Sequence, residues 1–309
     1  MAARSTTIEA LPNEILITIL SWFPTRNLLP MTLTSHRFYD IIIRIFQARL
    51  LNAASLKDHK LILECFHPST KLSSPYLFCD YLGTGSCDAP EDEASIFQNL
   101  QGTDRLGQLK GLYSHFRPLL PDEDRKARRS LATGGWAYSP FNALVQKETE
   151  YVCQNLHLES HELFSQLCTI TNLVKVGPKR GLFLSCVNIG DSVTRIWRDW
   201  LAERCASLAK RNRLGSGPNT KKGEDEEFKK RLLWADAEEH VGLRIRVIED
   251  ESVPAPVLVS LDEDAPVSYT LQYEELIIRT TQLLLMVEQS IDQEVSHSGK
   301  AIVIGSWDR

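Results

Sequence analysis

The chain has 309 residues, of which 43% are apolar and 24% are charged, and it carries a formal net charge of −5. This composition is typical of a folded globular protein, so wholesale disorder is excluded, and the length suffices for about two domains. The net negative charge argues against a protein that coats nucleic acid, and no apolar run approaches the roughly 20 residues that a transmembrane helix needs.

The densest apolar segment, residues 11–51, has helical spacing along its length. Pro12 suits the first turn of a helix, where its missing amide would have no partner, and Pro24 ends that helix. Asn27 and Ser35 are good N-caps and predict a second and a third short helix. About forty residues cannot hide this many large apolar side chains among themselves, so another domain or another protein must cover part of them.

Five short blocks of this segment occur in the order found in a known family. They are LPNEIL at 11–16, ILS at 19–21, Pro24, LL at 28–29 and TSHRF at 34–38. Together they resemble an F-box, and the resemblance implies that residues 8–50 form a three-helix domain that binds the Skp-type adaptor of an SCF ubiquitin ligase. On this resemblance we assign adaptor binding to Leu11, Pro12, Glu14, Ile15, Leu16, Ile19, Leu20, Pro24, Leu28, Leu29, Leu33 and Phe38.

The function implied by the resemblance is substrate recruitment for ubiquitin transfer. The chain would be a non-catalytic subunit that reaches a cullin scaffold through the adaptor and holds an unknown target protein with residues 68–309. Residues 51–67 continue with the helical spacing of Leu56, Leu63 and Phe66, so we predict a helical link between the two parts.

After residue 68 the pattern changes to short apolar pieces separated by Pro and Gly, which is typical of strands and loops. Residues 274–291 fit a helical face better than a strand because of their length. Residues 206–231 mix both charges with glycines and predict a mobile insertion. The strands are predicted at 151–158, 164–176, 182–189, 241–248, 257–261 and 301–304.

The predicted fold class is therefore α+β, with an N-terminal three-helix F-box followed by a mainly antiparallel β domain and flanking helices. A two-sheet sandwich is one arrangement that such a strand pattern can adopt. The seven cysteines are an odd number and widely spread, which is typical of reduced thiols and predicts a cytoplasmic or nuclear protein.

Two alternatives to the ligase role come from other classes of protein. On a helix His157 and His161 would share one face, as zinc-binding pairs do, so with Glu159 they could form the metal site of a hydrolase. On a strand both imidazoles would still lie on one side, where hydrogen bonds to solvent or to the core are sufficient. The chain could also be a structural interaction protein outside any ligase. We expect no cofactor, because the sequence has no phosphate-binding loop, dinucleotide fingerprint or nucleophile elbow.

Overall fold

The structure is a computed structural model that describes residues 8–70, 75–91, 96, 104–120, 151–177, 182–214, 232–249, 265–296 and 302–303. No helix in these ranges combines the length and apolar character that a membrane crossing requires. The helices are α1 Asn13–Leu20, α2 Thr25–Met31, α3 His36–Ala54, α4 Arg105–Lys110, α5 Arg198–Leu214 and α6 Thr280–Ser296.

The three N-terminal helices form as predicted, with one change at the start of α2. Ser35 caps α3, since its hydroxyl accepts a hydrogen bond from the Phe38 amide at 3.3 Å. The predicted Asn27 cap is wrong, because α2 already begins at Thr25. The carboxylate of Glu288 on α6 accepts from the Thr25 amide at 3.1 and 3.2 Å, so a residue distant in sequence caps this helix.

The rest of the described chain is built on one antiparallel sheet, which confirms the α+β fold class. Its order is β11-β7-β6-β1-β2-β4-β10-β9-β8, with β3 beside β2 and β5 beside β10. The strands are β1 Lys60–Phe66, β2 Leu77–Gly85, β3 Pro90–Glu91, β4 Tyr113–Pro118, β5 Val152–Leu158, β6 Phe164–Val176, β7 Leu182–Trp197, β8 Leu232–Trp234, β9 Val241–Glu249, β10 Val267–Arg279 and β11 Ile302–Val303.

The described strands form one continuous sheet, which curls so that strands near its two ends share one core. Val187 and Ile196 of β7 lie in the same buried cluster as Leu243 of β9. The two strands approach closely at Gly190, where an added Cβ would lie 3.2 Å from the Cγ2 of Val241. A glycine at this position lets the sheet close around its core.

The predicted helical link over 51–67 is wrong. Helix α3 ends at Ala54, and β1 begins at Lys60 and runs inside the sheet between β2 and β6. Leu61 and Leu63 face the main core, whereas Ile62 packs against a second cluster on the opposite face. A strand buried on both faces is a continuous apolar run, which spacing alone cannot distinguish from a helix.

Two other predictions need correction in part. The helix predicted over 274–291 begins only at Thr280, because residues 274–279 complete β10. The first part of the predicted insertion, residues 206–214, is the end of α5, and residues 215–231 lie outside the described residues. The strand predicted at 257–261 also lies outside them, whereas the strand predictions for residues 151–158, 164–176 and 241–248 are confirmed.

Helix α6 joins the N-terminal helices to the sheet. Leu284 belongs to the buried cluster of α1–α3, whereas Leu283 and Met286 belong to the core of the sheet. On the same helix, the hydroxyl of the fully buried Ser290 hydrogen-bonds to Ser185 of β7 and to His59 Nε2, the latter at 2.9 Å. Because one helix contributes to both clusters, the two parts are packed as one body.

Burial makes His59 a source of pH-dependent stability. Burial, followed by the charge of Lys175, lowers the pKa of His59 below the usual 6.5. A histidine with a lowered pKa stabilises the fold fully above the unfolded-state pKa, and that stability is lost as the pH falls through the folded-state pKa. The free energy of unfolding should therefore decrease more steeply from about pH 7 to pH 5 in the wild type than in His59→Gln, as measured by urea titration. Both proteins share every other titrating group, so equal slopes would contradict this role for His59.

Candidate protein-interaction surface

The residues assigned to adaptor binding divide between the interior and the surface. Leu16, Leu20 and Leu28 are at most 3% exposed and pack with α3 side chains such as Ile42 and Phe46. In this structure the three side chains are enclosed in the core, so they present almost no surface to a partner. The helical spacing had identified them as apolar but could not show which apolar side chains face inward.

The other assigned residues remain accessible to different degrees. Leu11 and Phe38 are partly buried against the same cluster. The exposed ones are Pro12, Glu14, Ile15, Ile19, Pro24, Leu29 and Leu33.

Exposed large apolar side chains are concentrated in the N-terminal helices. Of the fifteen in the described chain, seven fall within residues 8–33. Ile15 and Ile19 are one helical turn apart on α1, and Leu33 is 89% exposed. Single exposed apolar residues are ordinary, but such a concentration in about 26 residues marks this segment as a candidate interaction surface.

Sequence reasoning missed Trp22 and Phe23. Both are exposed, and Trp22 is 85% exposed although it is the largest side chain of this segment. They lie in the turn between α1 and α2, directly before Pro24. The signal that could have found them is the position of two aromatic residues at a helix end, beyond the apolar stripe that faces the core. We call Ile15, Ile19, Trp22, Phe23, Leu29 and Leu33 the exposed apolar set.

Two arginines of α3 hold the segments that carry this set. Arg37 donates from Nε to the Asn13 side-chain oxygen at 2.9 Å and from Nη2 to the carbonyl of Leu11, which secures the start of α1. Arg49 Nη2 donates to the carbonyls of Ser21 and Phe23 at 2.9 and 2.7 Å, which secures its end. The members of the exposed apolar set on α1 and in the following turn therefore project from a backbone with fixed ends, as a preformed interaction surface requires.

Helix α6 extends this bracing to the rest of the protein. Glu288 accepts from Arg49 Nη1 at 3.1 Å and from the Thr25 hydroxyl at 2.6 Å, in addition to the Thr25 amide. Charge-assisted hydrogen bonds of this kind are stronger than neutral ones. The orientation of α1 and α2 relative to the sheet is set partly by this group of three residues.

Comparison with known proteins identifies this segment. The model of the F-box-like family matches residues 8–50. The chain contains an F-box-like domain. The match coincides with α1–α3 up to residue 50, and it supports a role for this domain as an adaptor-binding module in the SCF ubiquitin ligase family. Neither the curated proteins nor the solved structures gave a match to the chain.

His157, Glu159 and His161, the alternative metal site of a hydrolase, do not come together as three ligands in the described part of the chain. His157 Nε2 lies 3.3 Å from Glu159 Oε1, and His157 Nδ1 contacts the Ser268 hydroxyl at 2.8 Å, but His161 does not join them to form a three-ligand group. In the described ranges the side chains that come close enough to hold a metal are Asp236, Glu238 and His240.

A buried group of charged and polar side chains lies inside the sheet. Arg244 of β9, only 2% exposed, pairs with Glu275 of β10, and Glu275 also accepts from His115 Nδ1 at 3.2 Å. Burial opposes ionisation of Glu275, but the His115 hydrogen bond and the Arg244 charge outweigh it and lower the pKa of Glu275. His115 Nε2 lies 2.8 Å from the carbonyl oxygen of Ser86, so the group pins the turn after β2.

Proposed function

We propose that the protein is a substrate-recruiting subunit of an SCF-type ubiquitin ligase. Its F-box-like domain binds a Skp-type adaptor, which connects the chain to a cullin scaffold, and residues 68–309 hold a target protein. The observation that carries the proposal is the match over residues 8–50 together with the exposed apolar set on the same helices. We place the complex in the cytoplasm or the nucleus, where reduced cysteines are stable.

The affinity for the adaptor would come from covering this exposed apolar set. Large aliphatic and aromatic side chains supply most of the binding energy at protein interfaces, and tryptophan is among the residues most enriched at energetic hot spots. Trp22 is therefore proposed as an anchor beside Ile15 and Leu29. Leu16, Leu20 and Leu28 would act indirectly, because they form the core that holds these residues in place.

In this role the chain would hold the target close to the enzyme that transfers ubiquitin, and it would not itself make or break a covalent bond. A target held beside a ubiquitin-charged enzyme on the same scaffold reacts at a high effective concentration. In the C-terminal part, a cleft of about 820 Å³ lies between β5 and β6 and is lined by both polar and apolar side chains, among them His157, His161 and Phe164. This mixture is suited to a peptide or a protein loop, and we propose this cleft as part of the target-binding region.

The adaptor assignment is tested by Ile15→Ala combined with Leu29→Ala. Both side chains are about half exposed, so removing them should leave the fold intact but remove apolar area that the adaptor would bury. We expect the dissociation constant for a Skp-type adaptor to rise about thirtyfold to 150-fold, from a loss of roughly 1–1.5 kcal/mol at each position. Titration calorimetry with purified full-length proteins measures this change.

The matched control is Val193→Ala combined with Ile248→Ala, which removes exposed apolar groups from the C-terminal domain. Adaptor affinity should stay at the wild-type value in this variant. An equal affinity of the Ile15→Ala/Leu29→Ala protein and the control would show that adaptor binding does not use this surface. A cullin absent from complexes that contain the adaptor would support the structural-partner alternative.

A further inference from the structure

Two consecutive strands of the sheet do not pair with each other. Strands β5 and β6 are joined by only five residues, 159–163, a connection that ordinarily closes an antiparallel hairpin. Within the described residues, however, β5 pairs with β10 alone, and β6 pairs with β7 and β1. The cleft of about 820 Å³ lies where the ladder of that hairpin would otherwise be.

Both sides of this cleft are strand edges. All seven residues of β5 pair with β10 on one side, so the opposite side is an edge in the described part of the chain. On β6 the pairing with β1 begins only at Cys168, so residues 164–167 have β7 on one side and the cleft on the other. Alternate residues of a strand bond to the neighbour on each side, so every second amide and carbonyl of these two segments is directed towards the cleft.

The closed end of the cleft is held in place by Arg198, the first residue of α5. Its Nε and Nη1 donate to the carbonyls of Glu162 and Ala265 at 3.1 and 2.9 Å, and its Nη2 donates to the carbonyl of Glu159. The Glu162 carboxylate also accepts from the Glu159 amide at 2.9 Å. The two strands therefore diverge from a braced turn and not from a frayed end.

We propose that an extended peptide segment of the target protein binds in this cleft as an added strand between β5 and β6. An extended backbone presents amides and carbonyls on both of its sides, which matches two facing strand edges, whereas a helix uses these groups internally. The segment runs antiparallel to β5, because β5 has the longer edge and antiparallel ladders are the more stable. The inference rests on the proposed function for the source of the peptide, but peptide binding itself does not require the adaptor.

The side chains beside the cleft indicate what sequence this segment has. Leu156 and Leu158 of β5 and Leu167 of β6 are buried in the main core, whereas Asn155 and Gln166 are exposed. Successive side chains of a strand point to opposite faces, so an added strand places alternate residues beside the leucines and the residues between them beside the polar groups. We therefore expect a segment of about five residues with apolar side chains at alternate positions.

Amide hydrogen exchange of the full-length protein, followed by nuclear magnetic resonance, tests whether the β5 edge is open. In the free protein, alternate amides of β5 should exchange at least about a hundredfold faster than the amides between them, which bond to β10. Residues 61–63 of β1 are the control, because they are paired on both sides and should all be protected. Uniform protection of β5 in the free protein would show that another segment of this chain or a second copy already covers the edge, which would overturn the proposal.

A matched pair of proline substitutions tests the same edge by stability. Of the neighbours Gln154 and Asn155, one directs its amide towards β10 and the other towards the cleft. Proline at the fast-exchanging position removes no bond of the free protein, so this variant should keep its stability and lose peptide affinity about tenfold. Proline at the other position breaks the ladder with β10 and should destabilise the protein. Equal destabilisation by the two substitutions would contradict an open edge.

Selection from a random heptapeptide library against the full-length protein supplies the ligand. We expect enrichment of peptides with apolar residues at alternate positions, and one bound peptide per chain should slow exchange of the open β5 amides. N-methylation of the alternate peptide amides that face β5 should raise the dissociation constant about a hundredfold, because it removes the hydrogen bonds and leaves every side chain unchanged. No enrichment, protection confined to other parts of the chain, or equal affinities of methylated and unmethylated peptides would each overturn the proposal. A failure of adaptor binding in separate titrations would contradict the ligase role and leave these peptide results unaffected.

Discussion

Leu28→Ala is expected to lower the free energy of unfolding by about 2–5 kcal/mol, whereas Leu29→Ala is expected to change it by less than about 0.5 kcal/mol. The two residues are adjacent on α2 and chemically identical, but Leu28 is 0% exposed and Leu29 is 48% exposed. Truncating Leu28 leaves a cavity in the cluster formed with α3, and truncating Leu29 leaves only water in its place. Urea unfolding followed by circular dichroism measures both changes.

The same pair separates a core role from a contact role. In the proposed function, Leu29→Ala weakens adaptor binding without loss of stability, whereas Leu28→Ala weakens binding only to the extent that the F-box-like domain unfolds. Adding an osmolyte that restores the folded state should therefore restore adaptor binding to Leu28→Ala and not to Leu29→Ala. Comparable stabilities of the two variants would show that the packing of Leu28 contributes far less than its burial implies.

Glu275→Ala is expected to destabilise the protein by about 3–5 kcal/mol, because it leaves the guanidinium of Arg244 buried without its counter-charge. His115 would lose the acceptor of its Nδ1 hydrogen bond in the same variant. Arg244 also donates to the carbonyls of Cys87 and Asp88 at 3.2 and 3.0 Å, so any displacement of the unpaired guanidinium would also disturb the turn after β2. The measurement is again the free energy of unfolding in urea.

A double variant distinguishes the ion pair from simple loss of packing. Arg244→Met combined with Glu275→Leu replaces both charges by apolar groups of similar size, and such replacements of buried pairs are often neutral or stabilising. We expect the double variant to be more stable than Glu275→Leu alone and than Arg244→Met alone, and a double-mutant cycle of these three variants with the wild type quantifies the coupling. Additive losses in the cycle would indicate that the two side chains do not interact.

Local sequence patterns correctly predicted the elements that have clear boundaries or a clear period. Ser35 marks the start of α3, and the alternation over Phe164–Val176 matches β6, whereas α1 ends at Leu20 and Pro24 directly precedes α2. The failures share a cause, which is that the chain changes structure within a continuous apolar run. The run at Leu61–Leu63 is a strand because β2 and β6 lie on either side of it, and the run after Glu274 is part strand and part helix.

The assignment of site residues from the sequence was likewise correct only in part. The family resemblance correctly located the F-box-like domain, but it assigned Leu16, Leu20 and Leu28 to a surface that they do not occupy. It also omitted Trp22, which the structure exposes more than most apolar residues of the chain. Side chains from one stripe of a short helix can face either a neighbouring helix or solvent, and only the packing partners decide which.

The amino-acid sequence by itself determined the class of the protein, the position of its helical module and the type of its sheet, because composition, proline and cap positions, and short-range periodicity all act locally. The tertiary structure alone decided which leucines are core and which are surface, that Glu288 caps α2 from more than 250 residues away, and that α6 joins the two parts. It also created the cleft between β5 and β6. These features depend on contacts between residues far apart in the chain, which no local pattern records.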